Sequence, residues 1–432
     1  MSDAVPLPPR PHVEQYRKLA KELQHACKSS DPGAVHEWAA RWAQKLAQVQ
    51  SFAINVEAEK IEQHWGKFKI ANESARPCTL ARARHFIARE HGFVSWPKFA
   101  GHLEALANIK SPISEFEMAA DAIVNGNSAA LAKLLIDVPE LARARSTRQH
   151  RSTLLHYVSA NGVENFRQKT PENIIEITML LLNAGADVDA ESDAYGGRST
   201  TLGLTATSVH PEKAGAQLAL LELLIGHGAR IDGPDGGSSV NACLRNGRAQ
   251  AAEFLAGLGA RLDLEGAAGT GRLDVVKSFF TGDSLKPTAT SEQMKDGFAW
   301  ACEFGRTQVV EFLLDRGMEV SVRLRHHGQT GLHWAAFSGA VDTVKILLKR
   351  HAPVDVKDET FGTTPLGWAL YAWRNEPEAG APGRHHQVTA LLQVAALLIA
   401  AGARVEPDWL VDRKVLADPE MLAALTHRIA AG

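Results

Sequence analysis

The fold class the sequence predicts is all-α: a solenoid of about eight helix-turn-helix units with short hairpin fingers between them, preceded by an N-terminal helical domain. Three observations predict it. The line QTGLHWAAFSGAVDTVKILLKRHAPVDV, from Gln329 to Val356, returns 34 residues earlier as KDGFAWACEFGRTQVVEFLLDRGMEVSV. Each copy holds two blocks of apolar residues at helical intervals, split by a glycine. The composition, 45% hydrophobic with only 6% aromatic and 22% charged residues, is that of a soluble chain built from Ala- and Leu-rich helices.

In chain order, the first 110 residues do not follow the repeat. Their opening, MSDAVPLPPRPHVEQYRKLAKELQ, has prolines and charges where a secretory signal needs an apolar run, and no later segment is long enough to span a bilayer. A cytoplasmic protein without membrane insertion is therefore expected. Val13 to Lys28 and Gly33 to Gln48 show helical spacing, the second after the start signal Ser30-Asp31-Pro32. A helix is predicted from Thr79 to His91, stopping at Gly92, and another from Ser95 with Pro97 in its first turn. The expected organisation is a helical cap over 1–110, repeats over 111–407, and a C-terminal helical cap over 408–432.

The repeat register is set by Leu264, Phe298, Leu332 and Leu366, spaced 34 apart, and by Gly271, Gly305 and Gly339 at the same step. Thr364-Pro365-Leu366, and Thr330-Gly331-Leu332-His333 with its following Trp-Ala-Ala, resemble the T-P-L-H-x-A signature of the ankyrin repeat family. Weaker versions stand at Thr153-Leu154-Leu155-His156, Thr200-Thr201-Leu202-Gly203 and Ser238-Ser239-Val240-Asn241. The closing LLxxxGA element recurs from LLLNAGADVDA at Leu180 to LLIAAGARVE at Leu397. The helical lead-in before the repeats is similar to that of bacterial members of the family.

Three units depart from the pattern by insertion between their helices: VENFRQKTPEN after Gly162, VHPEKAGAQ, and RNEPEAGAPGRHHQ from Arg374 to Gln387. One departs by deletion. Gly247 to Gly271 is 24 residues, ten short of a period, so the finger is expected to be missing after Asp263.

Chemistry-bearing motifs are sparse. There is no GxSxG, Walker loop or HExxH, and Cys27, Cys78, Cys243 and Cys302 are scattered, so reduced thiols, no metal and no cofactor are expected. With 47 Lys plus Arg against 49 Asp plus Glu, no nucleic-acid partner is expected. The resemblance implies instead a concave contact face for a protein partner, made by first-helix positions and finger tips. The helix positions are Ala160, Asn161, Thr207, Ser208, Arg245, Asn246, Glu303, Phe304, Phe337, Ser338, Tyr371 and Ala372. The tips are Arg148, Gln149 and His150, Asp193 and Tyr195, Pro234 and Asp235, Arg325, His326 and His327, and Glu359, Thr360 and Phe361.

The C-terminal half is aromatic on this face. Trp300, Glu303, Phe304, Arg325, His326, His327, Trp334, Phe337, Phe361, Trp368, Tyr371 and Trp373 are its candidate binding residues. Trp300, Trp334 and Trp368 form a ladder that packs between repeats or, alternatively, stacks on a ligand. His333 holds the signature position, whose imidazole ties the turn in the family. A second reading is a small-molecule site or an enzyme, its pocket closed by the insertions. Glu303 and Tyr371, with His326 or His327, would then be the acid and base candidates, and the pair His385-His386 lies in the longest insertion.

Overall fold

The computed structural model describes residues 4–71, 78–234, 236–324, 328–375 and 384–426. It divides into two compact units, Met1–Gly237 and Ser238–Gly432.

The first unit opens with five helices: α1 (Val13–Lys28), α2 (Ala34–Leu46), α3 (Ile54–Ala71), α4 (Leu80–Glu90) and α5 (Trp96–Leu106). Four match helices expected from the sequence, α4 and α5 with their caps. Thr79 accepts from Arg82 N to start α4, Gly92 at φ +82° ends it, and Ser95 with Pro97 starts α5. The helix α3 was not expected. The five pack around one aromatic-rich core in which Trp38, Trp65, Phe86, Phe93 and Phe99 are sealed from solvent. The Trp38 indole N–H donates to Leu19 O at 3.2 Å, so its polar edge is satisfied in that core. The Pro-rich lead-in is tied down where Val5 N donates to Glu90 O at 2.8 Å.

Three repeats complete this unit. The first is α6 (Pro112–Val124) with α7 (Ser128–Asp137). The second pairs a short 3₁₀ helix, Leu154–Ser159, with α8 (Ile174–Asn183). The third pairs α9 (Thr201–Thr207) with α11 (Gln217–Gly226), the insertion between them forming the small helix α10 (Val209–Lys213). There Gln217 is buried and its amide donates to the carbonyls of Thr205, Ala206 and Ser208 at 3.0–3.2 Å, closing the open end of α9.

The second unit holds five more pairs: α12 (Ser239–Arg245) with α13 (Ala249–Gly257), α14 (Leu264–Gly269) with α15 (Leu273–Ser278), α16 (Ser291–Glu303) with α17 (Thr307–Asp315), α18 (Gly331–Phe337) with α19 (Val341–Lys349), and α20 (Pro365–Arg374) with α21 (Arg384–Ala400). First helices pack on first helices along the stack, and second on second from α15 to α21. Leu264, Phe298, Leu332 and Leu366 are all fully buried, as the register requires. Gly297 and Gly331 show why small residues recur there. A Cβ on Gly297 would lie 2.8 Å from Ala268 Cβ, and one on Gly331 2.8 Å from Cys302 Sγ. Cys302 is thus a packed side chain. The stack ends on α22 (Pro407–Leu410), α23 (Arg413–Ala417) and α24 (Pro419–Thr426), whose Val415, Met421 and Leu425 enter the core of the repeats.

Hairpin fingers join the repeats. The first is bridged between Arg145 and Thr153. The second is the pair β1 (Glu191–Ser192) and β2 (Ser199–Thr200), and a later one is β3 (Phe280–Thr281) with β4 (Ser284–Leu285). Others are closed by Gly233 N to Gly237 O, Leu324 N to Gln329 O and Asp358 N to Thr363 O. Between α13 and α14 there is no finger, as the short spacing predicted. Asp263 takes over there: its carboxylate accepts from Gly266 N at 2.8 Å, from Asn241 at 3.0 Å and from Gln293 at 3.1 Å, tying three successive repeats together.

Two signature histidines tie each turn to the next finger. Thr153 N donates to His156 Nδ1 at 3.1 Å while Nε2–H donates to Ser199 O at 3.2 Å. His333 does the same between Thr330 N and Thr363 O, at 3.0 and 3.3 Å. Burial holds His156 neutral, its pKa down at about 4, so the acceptor on Nδ1 is kept.

Candidate functional site

The helices α16, α18 and α20 place the aromatic residues of the second unit at matching positions. Trp300 stacks on Phe304 with centroids 6.2 Å apart, and its indole N–H donates to Glu265 Oε1 at 3.1 Å. Glu265 in turn holds the Arg245 guanidinium at 3.0 Å. Farther along, Trp368 is the hub of an edge-to-face cluster with Trp334 at 5.4 Å, Phe337 at 5.5 Å and the finger residue Phe361 at 6.2 Å. The Trp368 indole N–H is held by Asp358 Oδ2 at 3.1 Å. That carboxylate also accepts from the backbone N–H groups of Thr360, Phe361 and Thr363, so finger and helix are pinned as one piece. All three tryptophans are half-buried. Trp334 and Trp368 thus pack across adjoining repeats, while Trp300 packs on Phe304 of its own helix.

Phe361 and Tyr371 are the open aromatics, 67% and 61% exposed. Phe337 is half-buried against Trp334 and Trp368 rather than freely exposed as expected. Trp373 must be removed from the contact face. It is buried in the core, because two residues beyond Tyr371 the helix has turned by about 200°. Ala160, Ser208 and Ala372 are buried too. Arg325, His326, His327 and Asp235 lie outside the described residues, as do the side chains of His385 and His386 and most of the longest insertion.

Glu303 stands one turn from Trp300 on α16. Its Oε2 is sealed from solvent without a hydrogen-bond partner among the described residues, and burial pushes its carboxyl up to about 7. The charged form is therefore what folding disfavours. The neutral carboxyl's stability is fully present below the unfolded value near 4.5 and is lost as pH rises through about 7. Glu303→Gln is accordingly expected to raise the melting temperature more at pH 8 than at pH 5. Equal effects at both would place the carboxyl in water.

A second constellation, in the first unit, was not legible in the sequence. Glu117 on α6, Arg148 at the first finger tip, and Glu164 and Arg167 in the first insertion close a buried ring of alternating charge. Arg148 reaches Glu117 at 2.5 Å and Glu164 at 2.9 Å; Arg167 reaches Glu117 at 2.7 Å and Glu164 at 3.6 Å. Asp121 adds a further contact to Arg167 at 2.7 Å. Burial alone would raise both glutamates. The guanidiniums outweigh it, taking Glu117 down to about 2 and Glu164 well below its ordinary value.

Arg148 and His150 were expected as finger tips on the contact face, and both are buried. The reason is that the N-terminal helices cover this finger. Gln149 N donates to Gly92 O at 2.8 Å, His102 meets Thr147 Oγ1 at 2.8 Å, and Arg148 lies over the Phe93 ring at 5.5 Å. At the next finger Tyr195 remains exposed, its hydroxyl donating to Asn161 at 2.6 Å.

Among the described residues, no three His, Cys, Asp or Glu side chains come together to hold a metal ion, and no helix is long and apolar enough to cross a membrane. Against known proteins, residues 264–358 and 298–377 match the family model described as ankyrin repeats in three copies. Among solved structures, the human ASB11 ankyrin repeat domain is similar at 18% identity, over 64% of this chain and 96% of that one, with a TM-score of 0.32. The comparison with curated proteins gave no match.

Proposed function

We propose that this chain, an ankyrin-repeat protein, is a cytoplasmic scaffold that binds a protein partner on the aromatic face of its second unit. One observation carries the reading. Phe361 and Tyr371 stand open beside a pinned cluster of Trp334, Phe337 and Trp368, so large apolar area is offered by side chains that are already ordered. Preordered aromatics lose little entropy on docking, and such residues dominate binding energy at protein interfaces. Ankyrin repeats are in general protein-interaction modules, which supports the class of partner.

The experiment is capture from native lysate on the intact protein beside the double variant Phe361→Ala/Tyr371→Ala. A bound protein should fall at least tenfold in the variant, while the melting temperatures agree within a degree or two, since both residues are exposed. Identical captured sets on the two baits would refute the face. Small molecules retained without any protein would favour the ligand-binding reading instead.

A further inference from the structure

The sequence scatters its cysteines, and the fold of the first unit brings two of them together. Cys27 lies in the last turn of α1, and Cys78 immediately precedes Thr79, the N-cap of α4. Both are free thiols, half-buried, and both pack on the edge of the aromatic core. The Gln24 carboxamide, one turn before Cys27, lies 3.4 Å from the Cys78 carbonyl oxygen and 3.2 Å from Leu80 N. The two chain segments are thus held side by side. Their thiols meet as well, Cys78 donating its S–H to the Cys27 sulfur.

The contact gives the two sulfurs different chemistry. Burial first, and then the hydrogen bond to Cys27, push the Cys78 thiol up to about 12, so it stays protonated as the donor. Cys27 is the sulfur left to act as nucleophile. Negative charge on Cys27 is part of what holds the Cys78 proton, whereas Lys69 and Arg82 stand near enough to favour its release. Taking the charge off Cys27 therefore frees Cys78 to react next.

We propose that Cys27 and Cys78 are a redox modification site, a dithiol that closes reversibly to an intramolecular disulfide. The oxidant is a small disulfide of the glutathione class. The Cys27 thiolate attacks one of its sulfurs, expelling one glutathione thiolate and leaving a mixed disulfide on Cys27. Cys78 then loses its proton and attacks the Cys27 sulfur, expelling the second glutathione thiolate. Two protein thiols are oxidised, one small disulfide is reduced, and the two cysteine protons end on the two glutathione thiols. The new bond joins the end of α1 to the start of α4 and closes a loop that holds α2 and α3. A loop of that length loses much of its freedom in the unfolded chain, so oxidation stabilises the N-terminal helices. In a reducing compartment the dithiol is the resting form. Cys243 and Cys302 are sealed among the repeats of the second unit and stay reduced. This site does not rest on the aromatic face.

The test exposes the folded full chain to oxidised glutathione, then alkylates the remaining thiols in denaturant for peptide mapping, beside thermal melting. A cross-linked Cys27–Cys78 peptide is expected, with Cys243 and Cys302 alkylated. The melting temperature of the first unit should rise by about 5 °C or more, and dithiothreitol should reverse both changes. Cys27→Ser, whose melting temperature under reduction should match that of the unaltered protein, should show no rise with oxidised glutathione. If that variant melts early, Cys78→Ala carries the same comparison. A glutathione adduct that persists on Cys27, a bridge to any other cysteine, a bridge that forms only in denaturant, or four thiols all still alkylated would overturn the proposal.

Discussion

Glu164→Gln is expected to destabilise the first unit by about 3–5 kcal/mol at pH 7, the largest effect of any single change considered. The substitution keeps the shape and removes the charge. It leaves the buried guanidiniums of Arg148 and Arg167 with Glu117 as their shared buried counter-ion, while Asp121 reaches only Arg167 from the surface. Breaking one member of a buried charge set costs far more than the set itself contributes, because the remaining charges stay desolvated. The pH dependence has a definite sign. Ionised glutamates whose folded pKa values are depressed stabilise above the unfolded value near 4.5, and that stability is lost as pH falls toward about 2. The gap between variant and unaltered protein should thus be full at pH 7 and narrow below about pH 4. Urea unfolding at pH 7 and pH 3 measures both, and a deficit under 1 kcal/mol at pH 7 would mean the ring is well hydrated.

Leu332→Ala should cost about 2–5 kcal/mol in the second unit. Leu332 is fully buried on α18 and occupies the position that Phe298 and Leu366 hold in the adjoining repeats. A stack of this kind draws its stability from neighbour contacts, so a cavity in one repeat weakens its junctions on both sides. Denaturant unfolding followed by circular dichroism tests it. A loss below 1 kcal/mol would mean that the 34-residue register misplaces the core.

The repeats were legible because stacking demands the same small and apolar residues at every step. Leu264 through Leu366 and Gly297 with Gly331 satisfy that demand, and any one copy predicts the next. The missing finger could be read from spacing alone. Burial of the first finger tip could not, since nothing in Arg148-Gln149-His150 says that the N-terminal helices lie on it. The charged ring was hidden for a related reason: Glu117, Arg148, Glu164 and Arg167 come from three separate segments, and no motif spans them. One local signal existed. Glu117 follows Phe116 and precedes Ala119 and Ala120 on the buried side of α6, where a charge needs a partner. Trp373 was misplaced because a conspicuous aromatic was assigned to the face of its neighbour Tyr371 without following the turn of the helix. Glu303 was placed by register alone, and its sealed, unpartnered oxygen is a property only the packing discloses.

Among the described residues, the buried apolar side chains of the core of the five N-terminal helices run from Val5 to Leu103. A chain leaving the ribosome therefore carries those side chains before the first repeat is synthesised. The nascent N-terminal segment can fold while translation continues, and the backbone oxygen of Gly92 is then in place when Gln149 emerges to bond it. The finger needs no search for its seat. Assembly of the first unit can follow the order of synthesis, with the charged ring closing when Glu164 and Arg167 arrive from the insertion, ahead of the third repeat.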